Sequence, residues 1–245
     1  GGEFMAAEKV ERLKTIAQRT WTRTLSNRIG ISYAEQKRRE ATPERPLPVQ
    51  EKLLEDRQDH VRPREGPRLS AADNQWGFNL EAPERAANLG EIYNLSIGRG
   101  TLTAEDRYKI NEHMVQTIMM LEALPWPRHL RRVPEYAGGH HEKMDGSGFP
   151  RGLKREDMSV PARVMAIADI FEALTAADRP YKPPKKLSES IRIMQTMVED
   201  RHIDPDLFKL FLDSGVYRDY AKQFLAPDQI DEIEVTQEAA LARAA

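Results

Sequence analysis

Residues 164–174 read VMAIADIFEAL, and this stretch constrains the fold more than any other in the chain. Ser159 and Pro161 supply a helix start just before it, and the run is apolar enough to predict a helix buried in a core. Asp169 stands in its middle. An unpartnered buried carboxylate costs on the order of several kcal/mol, so such a helix must bring Asp169 to a positive group, a capping role or a metal. Glu172 lies one turn further on, and two carboxylates on one helix face repel unless a cation sits between or beside them.

A second stretch carries nitrogen ligands of the kind a metal would need. HHEKMDGSGFP, His140 to Pro150, has two adjacent histidines, the carboxylates Glu142 and Asp145, and a glycine-rich exit through Gly146 and Gly148. If helical, His140 and His141 point about 100 degrees apart, so a shared role implies two metals or a ligand set that wraps around a centre. Upstream, Thr103 and Asp106 cap a predicted helix through Tyr108, Ile110, Met114, Ile118 and Leu121, ended by Pro125-Trp126-Pro127. His113 lies near its apolar face, where a histidine serves either as a hydrogen-bonded core residue or as a ligand. The chain has no cysteine, so thiolate zinc sites, iron–sulfur clusters and disulfides are excluded. The set His113, His140, His141 and Asp169 suits borderline metals such as Fe, Mn, Ni or Zn.

The rest of the chain predicts helices joined by irregular sequence. Leu13, Ala17, Trp21 and Leu25 follow helical spacing up to Gly30, Ser32 with Glu35 caps a short helix ended by Pro43, and a charged helix is expected from Val49 to Arg62. An irregular Pro/Gly/Asn-rich passage covers Pro63 to Pro83. Leu187 to Val198 reads as a helix, and Asp204-Pro205 opens another toward Gly215. No convincing alternating strand is found. His129 and His202, beside polar or proline-rich sequence, are expected at structural or surface positions. The formal charge is -2 with no basic stripe, which argues against a polymeric nucleic acid partner. No membrane-spanning run or signal peptide is visible, and the lack of cysteine is compatible with a cytoplasmic location. The opening GGEFM is either a cloning scar before Met5 or native sequence cut from a longer chain.

From about Leu89 to about Phe224 the chain resembles the HD-GYP family, on two motifs in the right order and at the right distance. The family pattern is HHE, two residues, DG, one residue, GYP, followed by an apolar helix with a central Asp and a terminal RPY. Here these are HHEKMDGSGFP and ARVMAIADIFEALTAADRPYK. The resemblance implies an all-α, HD-superfamily helical bundle over residues 89–235, after an N-terminal helical segment or insertion over 1–88 and before a tail over 236–245. It implies a metal-dependent phosphodiesterase acting on cyclic di-GMP at two or three Fe or Mn ions. His113, His140, His141 and Asp169 match the family's metal ligands, while Arg179 and Lys182 match the residues that hold substrate phosphates. Phe149 stands where the family has tyrosine, keeping the ring and losing the hydroxyl. One extra residue lies between Asp169 and Arg179.

The family's HD dyad, followed three residues later by Lys, is not found. LSIGRGTLT, Leu95 to Thr103, matches the stretch that follows the dyad in relatives, yet no histidine occurs between His60 and His113. Since a two-metal hydrolase depends on its bridging carboxylate, this chain alone is expected to be inactive or impaired. Three explanations are open: a dyad upstream of residue 1, with this chain a C-terminal fragment; replacement by Asp56 and His60, one turn apart on the charged helix; or a degenerate module without hydrolysis. Such a module would bind the nucleotide, or a partner such as a GGDEF-type diguanylate cyclase through Gly148, Phe149 and Pro150, and its site need hold no metal.

Overall fold

The computed structural model describes residues 4–40, 42–65, 74–177 and 184–232. Within these, the chain forms two compact units: one running through residue 65 and from 81 to 110, the other comprising 74–80 and 111 onward. Helices dominate both, as the motifs imply, accompanied by two small two-stranded sheets.

In the first unit, α1 (Ala7–Ala17) stops well short of Gly30, and β1 (Thr20–Arg23) follows. The expected long helix fails here because Thr20, Trp21 and Thr22 are β-branched or aromatic and favour a pleated backbone. Trp21 and Leu25 are 47% and 71% exposed, so their helical spacing does not mark a buried stripe. Ser32 caps α2 (Tyr33–Arg39) as expected, accepting from the Glu35 N–H at 3.3 Å. The charged helix expected over Val49 to Arg62 is instead β2 (Val49–Lys52), a single 3-10 turn at Gln58–His60, and β3 (Val61–Pro63).

β2 pairs antiparallel with β1, and Arg23, almost wholly buried, places its guanidinium fork on Glu51 with two bonds of 3.1 Å. That long-range pair outweighs the local preference of a charged segment for helix. β3 pairs with β4 (Arg85–Asn88), just beyond the Pro63 to Pro83 passage expected to be irregular. Asp56 is taken up by α3 (Glu91–Leu95), where it accepts from the N–H groups of Ile92 and Tyr93. His60 is buried, with Nδ1 3.4 Å from the Arg57 N–H. Asp56 and His60 therefore share no helix, and the spacing argument for a replacement metal pair falls.

α4 (Ala104–Glu122) gives its first turns to this unit and the remainder to the next. Thr103 and Asp106 form the expected reciprocal cap: the hydroxyl accepts from the Asp106 N–H at 3.0 Å, and the carboxylate accepts from the Thr103 N–H at 3.2 Å.

The second unit continues with α5 (Val133–Gly138), α6 (Val160–Thr175), α7 (Leu187–Glu199), α8 (Pro205–Asp213) and α9 (Val216–Phe224). Ile167 and Phe171 of α6 pack with Ile191 and Met194 of α7, Phe208 of α8 and Tyr217 of α9 in one core. Asp204 caps α8 as its sequence predicts, accepting from the N–H groups of Asp206 at 2.9 Å and Leu207 at 3.2 Å. α7 ends in a Schellman motif: Arg201 donates to the Val198 carbonyl at 3.0 Å and His202 to that of Met197 at 2.8 Å. Arg201 takes φ 53, a left-handed conformation that costs a side-chain-bearing residue roughly 1–2 kcal/mol. Glycine escapes that cost but loses roughly 0.5–1 kcal/mol more chain entropy on folding. Arg201→Gly should therefore stabilise the chain by about 0.5–1 kcal/mol, read as a thermal midpoint rise of roughly 2–4 °C per kcal/mol. No helix among the described residues is long and apolar enough to cross a membrane.

Candidate metal centre

The structure brings together three of the four residues expected as metal ligands. His113 comes from the middle of α4, while His140 and His141 follow the end of α5 in a turn rather than a helix. One ring nitrogen from each lies within 4.8 Å of the other two. His141 is the hub, its ring centroid 4.4 Å from that of His140 and 5.2 Å from that of His113.

Local bonds prepare these rings as ligands. His140 Nδ1 lies 2.6 Å from the Ala137 carbonyl, which can only accept, so Nδ1 donates there and Nε2 is the nitrogen left for a metal. Burial lowers the His141 pKa to about 4; the neighbouring His140 adds to this, and Asp169 opposes it. His141 is thus neutral at pH 7, the form that coordinates metal. Its other face is closed by Phe149, stacked at 5.0 Å and 15°.

The loop after the histidines is held from inside. Glu142 is fully buried, and its carboxylate accepts from the N–H of Arg151 at 2.7 Å and of Leu153 at 2.9 Å, closing the loop into a ring. Burial raises its pKa, opposed by those N–H groups, by that of Gly152 and by the Arg151 charge. Gly146 has φ 82, and Asp145 accepts from the Ser147 N–H at 2.8 Å to shape the turn. Pro150 is buried, and its carbonyl accepts from the Asn79 N–H at 2.7 Å. Glu142, Gly148 and Pro150 therefore serve as architecture, with their packing directed inward.

Asp169 departs from expectation. It is exposed on α6, as is Glu172, because this helix buries Ala162, Ala166, Ile167 and Phe171 and leaves a solvent-facing side that includes Val164 and Met165. Its apolar composition does not make it buried all round. Asp169 nonetheless lines one cavity of 220 Å³ with His140 and His141, outside the tight imidazole trio. Glu172 joins no metal-binding group among the described residues. Arg179 and Lys182, expected to hold phosphates, lie outside the described residues.

Two further residues line the cavity: Lys185, just before α7, which sequence reasoning passed over, and His202, just after it, which was expected at a structural or surface position. No local pattern marks either, since it is the packing of α7 against α6 that carries its flanks there. The donor set, three imidazoles with one held neutral and one with its free nitrogen fixed, fits a borderline divalent metal.

Comparison with known proteins agrees with this chemistry. The HD domain family profile matches residues 48–207. A 3'3'-cGAMP-specific phosphodiesterase 3 of Vibrio cholerae is 34% identical over 148 residues, covering 57% of this chain and 29% of that protein. A cyclic di-GMP phosphodiesterase of Thermotoga maritima is 34% identical over 113 residues, 46% of this chain and 30% of that protein. A 3'3'-cGAMP-specific phosphodiesterase 1 of Vibrio cholerae is 45% identical over 80 residues, 33% of this chain and 18% of that protein. The chain spans less than a third of the length of each of these relatives. With that profile matched over more than half its length and a histidine cluster in place, the chain belongs to the HD domain family, within the HD superfamily of metal-dependent phosphohydrolases.

Proposed function

We propose that this chain supplies the metal-holding part of a cyclic-dinucleotide phosphodiesterase, with cyclic di-GMP as substrate. The observation that carries the reading is the convergence of His113, His140 and His141 within 4.8 Å. These three would hold iron or manganese, with Asp169 approaching from α6 across the same cavity. Bound there, the metal would polarise a phosphodiester and lower the pKa of a water molecule toward neutrality. The chain's own residues hold the His141 imidazole neutral, occupy Nδ1 of His140 with the Ala137 carbonyl and wall the site with Phe149. Arg179 and Lys182 would orient phosphates, one through a forked guanidinium and the other through a point charge. The chain contains no His-Asp dipeptide, and so lacks the dyad carboxylate that bridges two metals in relatives. We therefore expect slow hydrolysis or none from this chain by itself. Docking of a diguanylate cyclase on Gly148, Phe149 and Pro150 draws less support, because Phe149 stacks on His141 and Pro150 is buried.

Elemental analysis of chain reconstituted anaerobically with Fe or Mn tests the reading. At least one metal per chain is expected, with affinity falling about 100-fold or more in His141→Ala, since even the loss of an outer-shell partner costs roughly 10–100-fold. A chain that holds no metal overturns the proposal.

A further inference from the structure

The cavity beside His140 and His141 contains another imidazole that the proposed metal set leaves unused. His202 lines it together with Asp169, Lys185 and the apolar side chains of Leu174 and Met197. Its ring is half-buried and makes no hydrogen bond among the described residues. A half-buried ring that lines a cavity and makes no hydrogen bond there leaves its nitrogens open to a ligand.

The backbone around it permits little adjustment. On one side the Schellman motif pins the His202 N–H to the Met197 carbonyl at 2.8 Å, with Arg201 in the left-handed region. On the other, Ile203 is wholly buried and Asp204 caps α8 while ion-paired to Arg155 and Arg163. Strained backbone persists where its surroundings over-determine it, and here both flanks do so. His202 is therefore presented by rigid structure rather than by a loose loop. The cavity itself holds 220 Å³, below the roughly 300–1,000 Å³ of pockets that enclose drug-sized ligands. It cannot enclose a whole cyclic dinucleotide, so only part of such a ligand can enter and the rest must lie outside.

We propose that His202 is a positioning residue that hydrogen-bonds the nucleotide half entering this cavity, while Leu174 and Met197 cover its base and Lys185, ion-paired to Glu189, stands beside its phosphate. The inference rests on reading the site as a cyclic-dinucleotide centre. Because one half fills the cavity, GMP alone competes for it.

The test is calorimetric titration of the whole chain, reconstituted with Mn, with cyclic di-GMP and separately with GMP. Wild type is compared with His202→Ala and His202→Asn, with metal per chain measured on the same samples and folding checked by circular dichroism. We expect His202→Ala to weaken both ligands by the same factor, about tenfold or more for a lost bond to a charged ligand, with metal content unchanged. His202→Asn, which retains a donor and an acceptor, should recover part of the loss. Unchanged affinities in His202→Ala overturn the inference, as does a fall in its metal content, which would make His202 a metal ligand or scaffold. A wild-type chain that holds metal but binds neither ligand also overturns it while leaving the metal centre intact. A wild-type chain without metal removes the reading beneath it.

Discussion

Gly148→Ala should cost about 3–5 kcal/mol and take the metal centre with it. A methyl group at this position would sit 2.5 Å from the Glu142 Cα and 2.6 Å from its carbonyl carbon, and closer still to the Lys143 nitrogen. All three are backbone atoms of the segment that follows His141, so no side chain can swing aside. Overpacking costs roughly 1–3 kcal/mol when neighbours can adjust, and here adjustment displaces Glu142 itself. Its carboxylate would then lose hydrogen bonds from Arg151 and Leu153 while remaining buried, which adds about 1–3 kcal/mol. Urea denaturation of the variant, with metal content alongside, checks both effects. Gly98 provides the control, since a methyl group there meets nothing within 4 Å, and Gly98→Ala should stay within about 0.5 kcal/mol of wild type. Equal behaviour of the two variants would show that the turn at 148 has room to move.

Asp204→Ala should destabilise by about 3 kcal/mol or more, for different reasons. The side chain is 0% exposed and does two jobs: it caps α8 and neutralises Arg155, at 2.9 Å, and Arg163. Losing a cap costs about 1 kcal/mol, and removing one partner of a buried ion pair costs roughly 3–5 kcal/mol; the half-exposed Arg155 moderates the second figure. Asp204→Asn keeps an acceptor for the cap and should fall between.

A pH signature accompanies the loss. Burial pushes the Asp204 carboxyl up, but the Arg155 bond, the Leu207 N–H and Arg163 together outweigh it and hold the group below the usual carboxylate range. A carboxyl whose folded pKa lies below its unfolded value near 3.9 contributes full stability above that value and loses it as pH falls through the folded pKa. Wild type should therefore lose stability as the pH drops below about 4, and Asp204→Ala should show a flatter acid limb in urea midpoints measured from pH 7 to pH 2.5. Parallel limbs would mean that other carboxylates dominate acid unfolding.

How legible each part was depended on how local its cause is. α4, α6 and α8 were readable because their starts are marked within a few residues: Thr103 with Asp106, Ser159 with Pro161, and Asp204 with Pro205. β1 and β2 were not, since Arg23 finds Glu51 28 positions further along the chain, and nothing in either segment announces the pair. Asp169 shows the limit of composition, for an apolar helix states how much surface it can bury without stating which side meets water. Asp56 and His60 had a plausible spacing for a helix that does not form. The histidine trio was legible through the order of the motifs, whereas His202 follows an arginine whose left-handed conformation no sequence rule assigns to that residue.

The ring stacked against His141 belongs to phenylalanine, and this bears on electron transfer as well as packing. A phenol at that separation could give up an electron and a proton to an oxidant formed beside the imidazoles, and a radical could then migrate into the protein. A phenyl ring has no acidic proton to release and is far harder to oxidise. The wall next to His141 is consequently inert to one-electron chemistry, and the readily oxidised side chain lining the cavity is the thioether of Met197.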